Sequence, residues 1–389
     1  MSESYLPTRA WVEVDLDRIA ANARTIRRLV HPRADVMGVV KADAYGHGVR
    51  DVVPVLLENG ISRLAVSMLD EAIQLRRDGV RVPILVLGYT DPRRAEEILH
   101  HDVTQTVFSR DLAQALSDAA VRMARPVRIH VKIDTGMGRV GFMAGFGAIK
   151  DIAWIGALPG LVIEGLYTHF SSADEADPAF TLRQFEQFMG ISAELGRIGL
   201  HIPLQHCCNS AALLRFPRMH LDLVRPGLIL YGLLPAHCGE PGRDLRPAMT
   251  LKADVVLVKD VDPGTPISYG RTFVTGRPSR IATLPVGYAD GYLRSLSGKA
   301  SVLLRGRRVP VVGRVCMDSC LLDVTDLPDP PAVGDEAVLF GCQRAPDGDE
   351  ACLPIEEVAD WLGTISYEVA CLIGRRIPRS YLRDGRLRA

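Results

Sequence analysis

Lysine is nearly missing from this chain. Of 46 Lys+Arg residues in 389, six are lysine: Lys41, Lys132, Lys150, Lys252, Lys259 and Lys299. Arginine does the ordinary surface work, so each lysine asks for a reason. Net charge is missing too, with 46 acidic residues against 46 basic. Without a basic excess there is little to release counterions from a phosphate backbone, which excludes general nucleic-acid binding. Without an acidic excess or a low-complexity tract, a disordered chain is excluded. No apolar run is long enough to span a bilayer, so no membrane partner is expected. The first residues, MSESYLPTRAWVEVD, place no positive charge before an apolar core. No signal peptide and a cytoplasmic location are therefore expected. The eight cysteines include no CxxC pair, so reduced, partly buried thiols are expected. The ten histidines are scattered, and no metal site is expected.

What is present is a rhythm. From residue 34 to about 230, short apolar, β-branched runs alternate with amphipathic stretches. The runs fall at 36–41, 64–67, 84–87, 104–107, 127–134, 161–168, 204–207 and 222–225. Over 111–123, Leu112, Ala115, Leu116, Ala119 and Ala120 share one helical face. Eight strand–helix repeats predict a (β/α)8 barrel of the TIM type. A doubly wound sheet is the alternative, but no GxGxxG opens the first unit. Near residue 235 the texture changes to a Pro- and Gly-rich linker, LLPAHCGEPGRDLRPAM. Beyond it, regular short β runs predict a β-rich domain, with short helices at 354–361 and 367–372. The expected division is 1–240 for the barrel and 241–389 for the β-rich domain. The run at 11–16 lies outside the eight-strand count and is a candidate to join the C-terminal sheet.

Lys41 ends the first apolar run, in VMGVVKADAYGHG. Active sites of barrels are built at that end of the strands. An amine in apolar surroundings has a lowered pKa and can form a Schiff base. Tyr45 and the backbone of Gly46 and Gly48 follow, a loop able to hold a phosphate.

This segment resembles the pyridoxal-phosphate (PLP) attachment motif of bacterial alanine racemases, enzymes of fold type III. The resemblance continues in order through HVKIDTGMGRVGF, IEGLYTHFSSADE, HCCNSAA, DLVRPGLILYG, PISYG, LPVGYADGYLR, GRVCMDS and GTISYEVAC. It implies a PLP-binding barrel followed by a β-rich domain, and a homodimer with shared active sites. It implies interconversion of L-alanine and D-alanine, supplying D-alanine for peptidoglycan. Lys41 would carry PLP as a Schiff base and act on the D face. Tyr269, from the partner subunit, would be the base on the L face. A racemase needs a group on each face, so one lysine does not suffice.

The resemblance also implies that Tyr45, Asn209, Ser210, Gly227, Leu228 and Tyr367 hold the cofactor, with His169 and Arg225. Arg225 would face the pyridine nitrogen. A guanidinium only donates hydrogen bonds, so it would leave that nitrogen unprotonated and the electron sink weak. Arg139, Met317 and Asp318 would contact the substrate, with Met317 and Tyr367 keeping the pocket small. Lys132 is a candidate for carbamylation, which would turn it into an anion that holds Arg139; an ordinary pair with Asp134 is its bland alternative. Asp174, Tyr288, Arg294 and Arg314 match an entrance corridor. Three rival functions stand beside the leading one: a broader amino-acid racemase, a fold-type III PLP decarboxylase and a non-catalytic PLP-binding protein.

Overall fold

The computed structural model describes residues 9–346 and 348–387. They form two compact units. One holds Ile19–Ala44 and Val49–Arg246. The other holds, among the described residues, 9–18, Tyr45–Gly48 and those from Pro247 to Leu387.

The first unit is the expected barrel. The strands in chain order are β1 (Ala10–Asp15, part of the other unit), β2 (Asp35–Val39), β3 (Arg63–Val66), β4 (Ile84–Val86) and β5 (Thr104–Val107). They continue with β6 (Val127–Asp134), β7 (Phe142–Met143), β8 (Leu161–Tyr167), β9 (Leu204–His206) and β10 (Leu223–Val224). Apart from β7, which pairs only the end of β6, the sheet runs β10-β2-β3-β4-β5-β6-β8-β9, and all its pairs are parallel. Its two edges meet: Asp222 N donates to Gln205 O at 3.2 Å, and Arg225 N donates to Cys208 O at 3.0 Å. Parallel strands covered on both faces read as continuous apolar runs, as β4 does; β5 is buried at every position too, although Thr104, Gln105 and Thr106 are polar. The crossover helix Arg110–Arg122 buries Leu112, Leu116, Ala119 and Ala120, and Ser109 caps it by accepting from Leu112 N. Burying each of those leucines stabilises the fold by about 1.5–3 kcal/mol.

The second unit is built on an eleven-stranded sheet. β1 pairs antiparallel with Met249–Asp254 and parallel with Arg379–Arg383. Two short helices, Ile355–Leu362 and Ser366–Leu372, lie in the chain between the strands Glu350–Leu353 and Arg379–Arg383. Trp361 of the first packs on the buried cluster Leu303, Val338 and Leu353.

The thiol expectation fails at one pair. Cys342 and Cys352 face each other across the Glu336–Arg344 and Glu350–Leu353 strands and form a disulfide. Antiparallel register sets them 4.1 Å apart at Cα, a proximity that a ten-residue sequence separation does not reveal. Glu350 also approaches the two sulfurs, but those sulfurs are bonded to each other. The other six cysteines are in no disulfide, and four of them are buried. No helix among the described residues is long and apolar enough to cross a membrane.

Candidate active site

After β2 the chain turns left-handed. Ala42, Asp43, Ala44 and Tyr45 all have φ between 52° and 55°. For residues with a Cβ this costs of order 1 kcal/mol each, so other groups must hold the turn. Glu71 does so: Oε1 accepts from Ala42 N at 2.6 Å, and Oε2 accepts from Ser67 N at 2.7 Å and Met68 N at 3.0 Å. Asp43 Oδ1 accepts from Val49 N at 2.8 Å. Gly48 follows at φ +87°, where a Cβ would sit 1.8 Å from the Tyr381 hydroxyl. Backbone strain that the surroundings enforce clusters at functional sites. Lys41 opens this turn, just beyond the carboxyl end of β2.

The barrel unit gathers cations around one imidazole. His169 follows β8, and burial together with the charges of Arg225, Arg139, Lys132 and Lys41 holds its pKa well below the ordinary value. Arg225 is 3% exposed. Its Nη2 donates to Thr168 O at 2.9 Å and Cys207 O at 3.1 Å, and lies 3.3 Å from His169 Nδ1. Since arginine has no acceptor, His169 Nδ1 must accept, which puts the imidazole proton on Nε2. No carboxylate bonds to Arg225 among the described residues, and its Nε has no hydrogen-bond partner there.

Lys132 is not a surface lysine. It is 2% exposed on β6 and forms no ion pair among the described residues. Burial first, then Arg139 and Arg225, push its pKa down to about 8. Asp134 is engaged elsewhere: its Oδ1 accepts from Gly136, Met137 and Gly138 N at 2.9, 2.9 and 3.1 Å. That turn shapes the loop bearing Arg139, and the ordinary Lys132–Asp134 pair is absent.

Near β9, Asn209 caps the helix Ser210–Arg215 by accepting from Ala212 N at 2.9 Å. Ser210 Oγ accepts from Gly227 N at 2.9 Å. The structure therefore brings together Ser210 and Gly227, with Leu228 next in the chain. Asp174 sits in the loop after β8, where Arg215 donates to Ala173 O at 2.7 Å.

The other unit holds the remaining residues. Burial and the neighbouring Cys371 and Tyr367 raise the Tyr45 phenol above its usual range. Tyr269 is 71% exposed on a turn whose Ser268, Gly270 and Arg271 have positive φ. Ser268 Oγ donates to Arg314 O at 2.6 Å. Tyr288 N donates to Cys316 O at 3.1 Å and Ala289 N to Met317 O at 3.0 Å, zipping the Tyr288 turn to the Met317–Asp318 segment. Asp318 pairs with Arg376 at 2.6 Å. Val315 N donates to Ser297 Oγ at 2.9 Å, and that hydroxyl donates to Arg294 O at 2.5 Å.

Comparison with known proteins decides the family. The profile of the alanine racemase N-terminal domain matches residues 14–235, and that of the alanine racemase C-terminal domain matches 248–381. The chain belongs to the alanine racemase family. It is 48% identical over 373 residues to the alanine racemase of Desulforamulus reducens, covering 96% of this chain and 98% of the relative. It is 46% identical over 376 residues to alanine racemase 1 of Clostridium acetobutylicum, covering 96% of each. Among solved structures, alanine racemase of Clostridium difficile 630 superposes with a TM-score of 0.93 at 38% identity, over 100% of this chain and 98% of that one. The Bacillus anthracis alanine racemase with bound L-Ala-P gives 0.91 at 37% identity, over 99% and 97%.

Sequence reasoning passed over several polar residues of this barrel: the buried His130, Tyr167 and His206, and the partly buried Glu164. A signal was present in HVKID. His130, Lys132 and Asp134 alternate with Val131 and Ile133, so one face of β6 is polar. All three are nevertheless buried, at 1%, 2% and 5% exposure. A polar face inside a barrel marks a site, not a solvated edge.

Proposed function

We propose that the chain interconverts L-alanine and D-alanine with bound PLP, in a homodimer. The α-proton moves between Lys41 on the D face and Tyr269 of the partner subunit on the L face. The observation that carries this reading is the cation-rich barrel end, where Lys41, Lys132, Arg139 and Arg225 all act on His169. Family membership supports the substrate, as does the related structure with bound L-Ala-P.

The donor set suits PLP. Among the described residues Arg225 Nε makes no hydrogen bond while its other groups are engaged, which leaves a donor for a ring nitrogen. Ser210, Gly227 and Leu228 would hold the phosphate from the barrel, and Tyr45, Asn209 and Tyr367 are assigned to the cofactor by the family motif. When bound, PLP supplies an electron sink for the charge left on the α-carbon.

The rest is the work of the side chains. Lys41 Nζ takes or returns a proton on one face, and the Tyr269 hydroxyl does so on the other. Arg225 offers no base, so nothing at that position keeps a facing ring nitrogen protonated. His169, with its proton on Nε2, is a hydrogen-bond donor toward the phenolic base. Arg139 orients the substrate carboxylate, and Lys132 as a carbamate would hold Arg139. Met317, Asp318 and Tyr367 limit the pocket to a small side chain. Asp174, Tyr288, Arg294 and Arg314 would line its approach. A cytoplasmic enzyme supplying D-alanine to peptidoglycan is the role that fits. The decarboxylase reading is disfavoured because Arg225 stands where that class uses a carboxylate.

The test is a racemisation assay over several L-amino acids, with and without added PLP. Alanine should react fastest and depend on PLP. No turnover of alanine overturns the proposal, and equal turnover of larger amino acids favours the broader racemase.

A further inference from the structure

Arg225 is the first member of a longer line inside the barrel unit. Its Nη1 lies 2.8 Å from His206 Nδ1. His206 Nε2 lies 2.8 Å from His130 Nδ1, and His130 Nε2 lies 3.3 Å from Glu164 Oε2. Arg63 Nη1 donates to Glu164 Oε1 at 3.3 Å, and its Nε lies 3.5 Å from the half-exposed Asp35. Arg225 follows the end of β10, whereas Arg63 and Asp35 begin β3 and β2. The line therefore runs through the barrel from the carboxyl ends of its strands to their amino ends.

Elementary hydrogen-bond accounting fixes its direction. A guanidinium cannot accept, so His206 Nδ1 carries no proton. The single His206 proton is on Nε2 and is donated to His130 Nδ1. His130 then keeps its own proton on Nε2 and donates it to Glu164. Both imidazoles are neutral, and the line ends on a carboxylate. The His206 ring cannot swing, because it lies flat on Tyr167 with ring centres 4.7 Å apart and 5° between planes. Tyr167 is held in turn by Thr106 at 3.0 Å.

The backbone is irregular where this line crosses it. The β6–β8 register shifts between Ile129 and His130: Ile129 faces Ile163, His130 faces Gly165, and Glu164 is skipped. Bulges are rare in parallel pairs and re-aim side chains. At Gly165 a Cβ would stand 2.5 Å from His130 Nδ1. Close approach of the ring, not an unusual φ, is what requires glycine there.

We propose that Glu164 is the remote counter-charge of Arg225. It is a positioning residue that acts through the neutral His130 and His206 rings. Its negative charge makes each ring a stronger acceptor for the next donor, and so fixes the orientation of the buried guanidinium. The proposal rests on the PLP racemase reading only for its functional readout.

The test is Glu164→Gln in the holoenzyme, which leaves an acceptor for His130 and removes the charge. The first readout is the long-range 1H–15N spectrum of the histidine rings. In the parent, His130 and His206 should both be neutral Nε2–H tautomers between about pH 6 and 9. In the variant, the ring signals of His206 should move although residue 206 does not touch residue 164. The absorbance maximum of the bound cofactor should shift, and kcat should fall about tenfold with KM within about twofold. Gly165→Ala, which displaces His130, should reproduce the His206 shift. An Nδ1–H or cationic form of either ring in the parent overturns the proposal. So does a Glu164→Gln variant that perturbs His130 alone, with cofactor spectrum and kcat unchanged. Should the parent prove inactive on alanine, the functional reading fails while the tautomers still decide the relay.

Discussion

Lys132 Nζ lies 5.8 Å from the centre of the Tyr167 ring, and the charges that act on it most strongly, Arg139 and Arg225, are of its own sign. A cation–π contact of this kind returns about 0.5–2 kcal/mol, less than burial beside two guanidiniums costs. The folded chain therefore releases the Lys132 proton near pH 8, against an ordinary value of 10.5. Below about pH 8 the ammonium is charged in both states and the folded state bears the whole penalty. Between about 8 and 10.5 the unfolded chain binds more protons, so this group makes stability rise with pH. Replacing Lys132 with Met should stabilise the cofactor-free chain near pH 7 by roughly 2 kcal/mol, an advantage that vanishes above about pH 10. Chemical denaturation in carbonate-free buffer measures it. With bicarbonate present the sign should reverse, because a carbamate on Lys132 would meet Arg139 as a counter-charge. The same sign in both buffers would argue against carbamylation.

Lys41 leads into a strained turn that Glu71 holds from outside and Asp43 from within. Removing the amine should not disturb that scaffold. Lys41→Ala should fold with unchanged far-ultraviolet dichroism and lose the visible absorbance of the lysine-bound cofactor. Retention of a covalent chromophore would sink the assignment. Glu71→Gln should behave differently, keeping the chromophore and weakening the turn by roughly 1–3 kcal/mol, since one oxygen of the carboxylate can no longer accept.

The barrel was legible because short β-prone runs, fully apolar as at 84–87 or rich in β-branched residues as at 104–107, recur between amphipathic stretches. Lys41 and Arg225 were legible through their motifs. Lys132 stood out by scarcity, though only its burial separates it from a surface pair with Asp134. His206 and Glu164 left weaker traces. Their roles depend on a register slip between β6 and β8 and on the missing side chain of Gly165, and neither is written in local periodicity. The Cys342–Cys352 bond was missed for a similar reason, since cross-strand neighbours are set by hairpin register and not by spacing in the chain.

That bond closes a loop of about ten residues in the second unit. Constraining the unfolded chain this way stabilises by about 2–3 kcal/mol. Cys352→Ser should lower the denaturation midpoint of the oxidised protein accordingly and leave the fully reduced protein unchanged. An identical midpoint for parent and variant without reductant would mean that the two thiols are not joined in solution.

Tyr269 is held out on a turn with Ser268 at φ 63°, Gly270 at 72° and Arg271 at 51°. Gly313 backs this turn so closely that a Cβ there would lie 2.7 Å from Ile267 O. Strain and tight backing fix the backbone that carries this 71% exposed phenol. Tyr269→Phe keeps the ring and deletes the proton carrier. Loss of a general base costs roughly 10²-fold or more, and here the loss should be one-sided. Single-turnover exchange of the α-hydrogen for deuterium should collapse for L-alanine and persist for D-alanine, where Lys41 still acts. Equal loss from both enantiomers contradicts the two-face arrangement. Mixing Lys41→Ala and Tyr269→Phe subunits, each inactive in racemisation, then tests whether the two bases come from different chains. Hybrid dimers should regain one intact site in two, and absence of recovery in confirmed hybrids would place both bases on one chain.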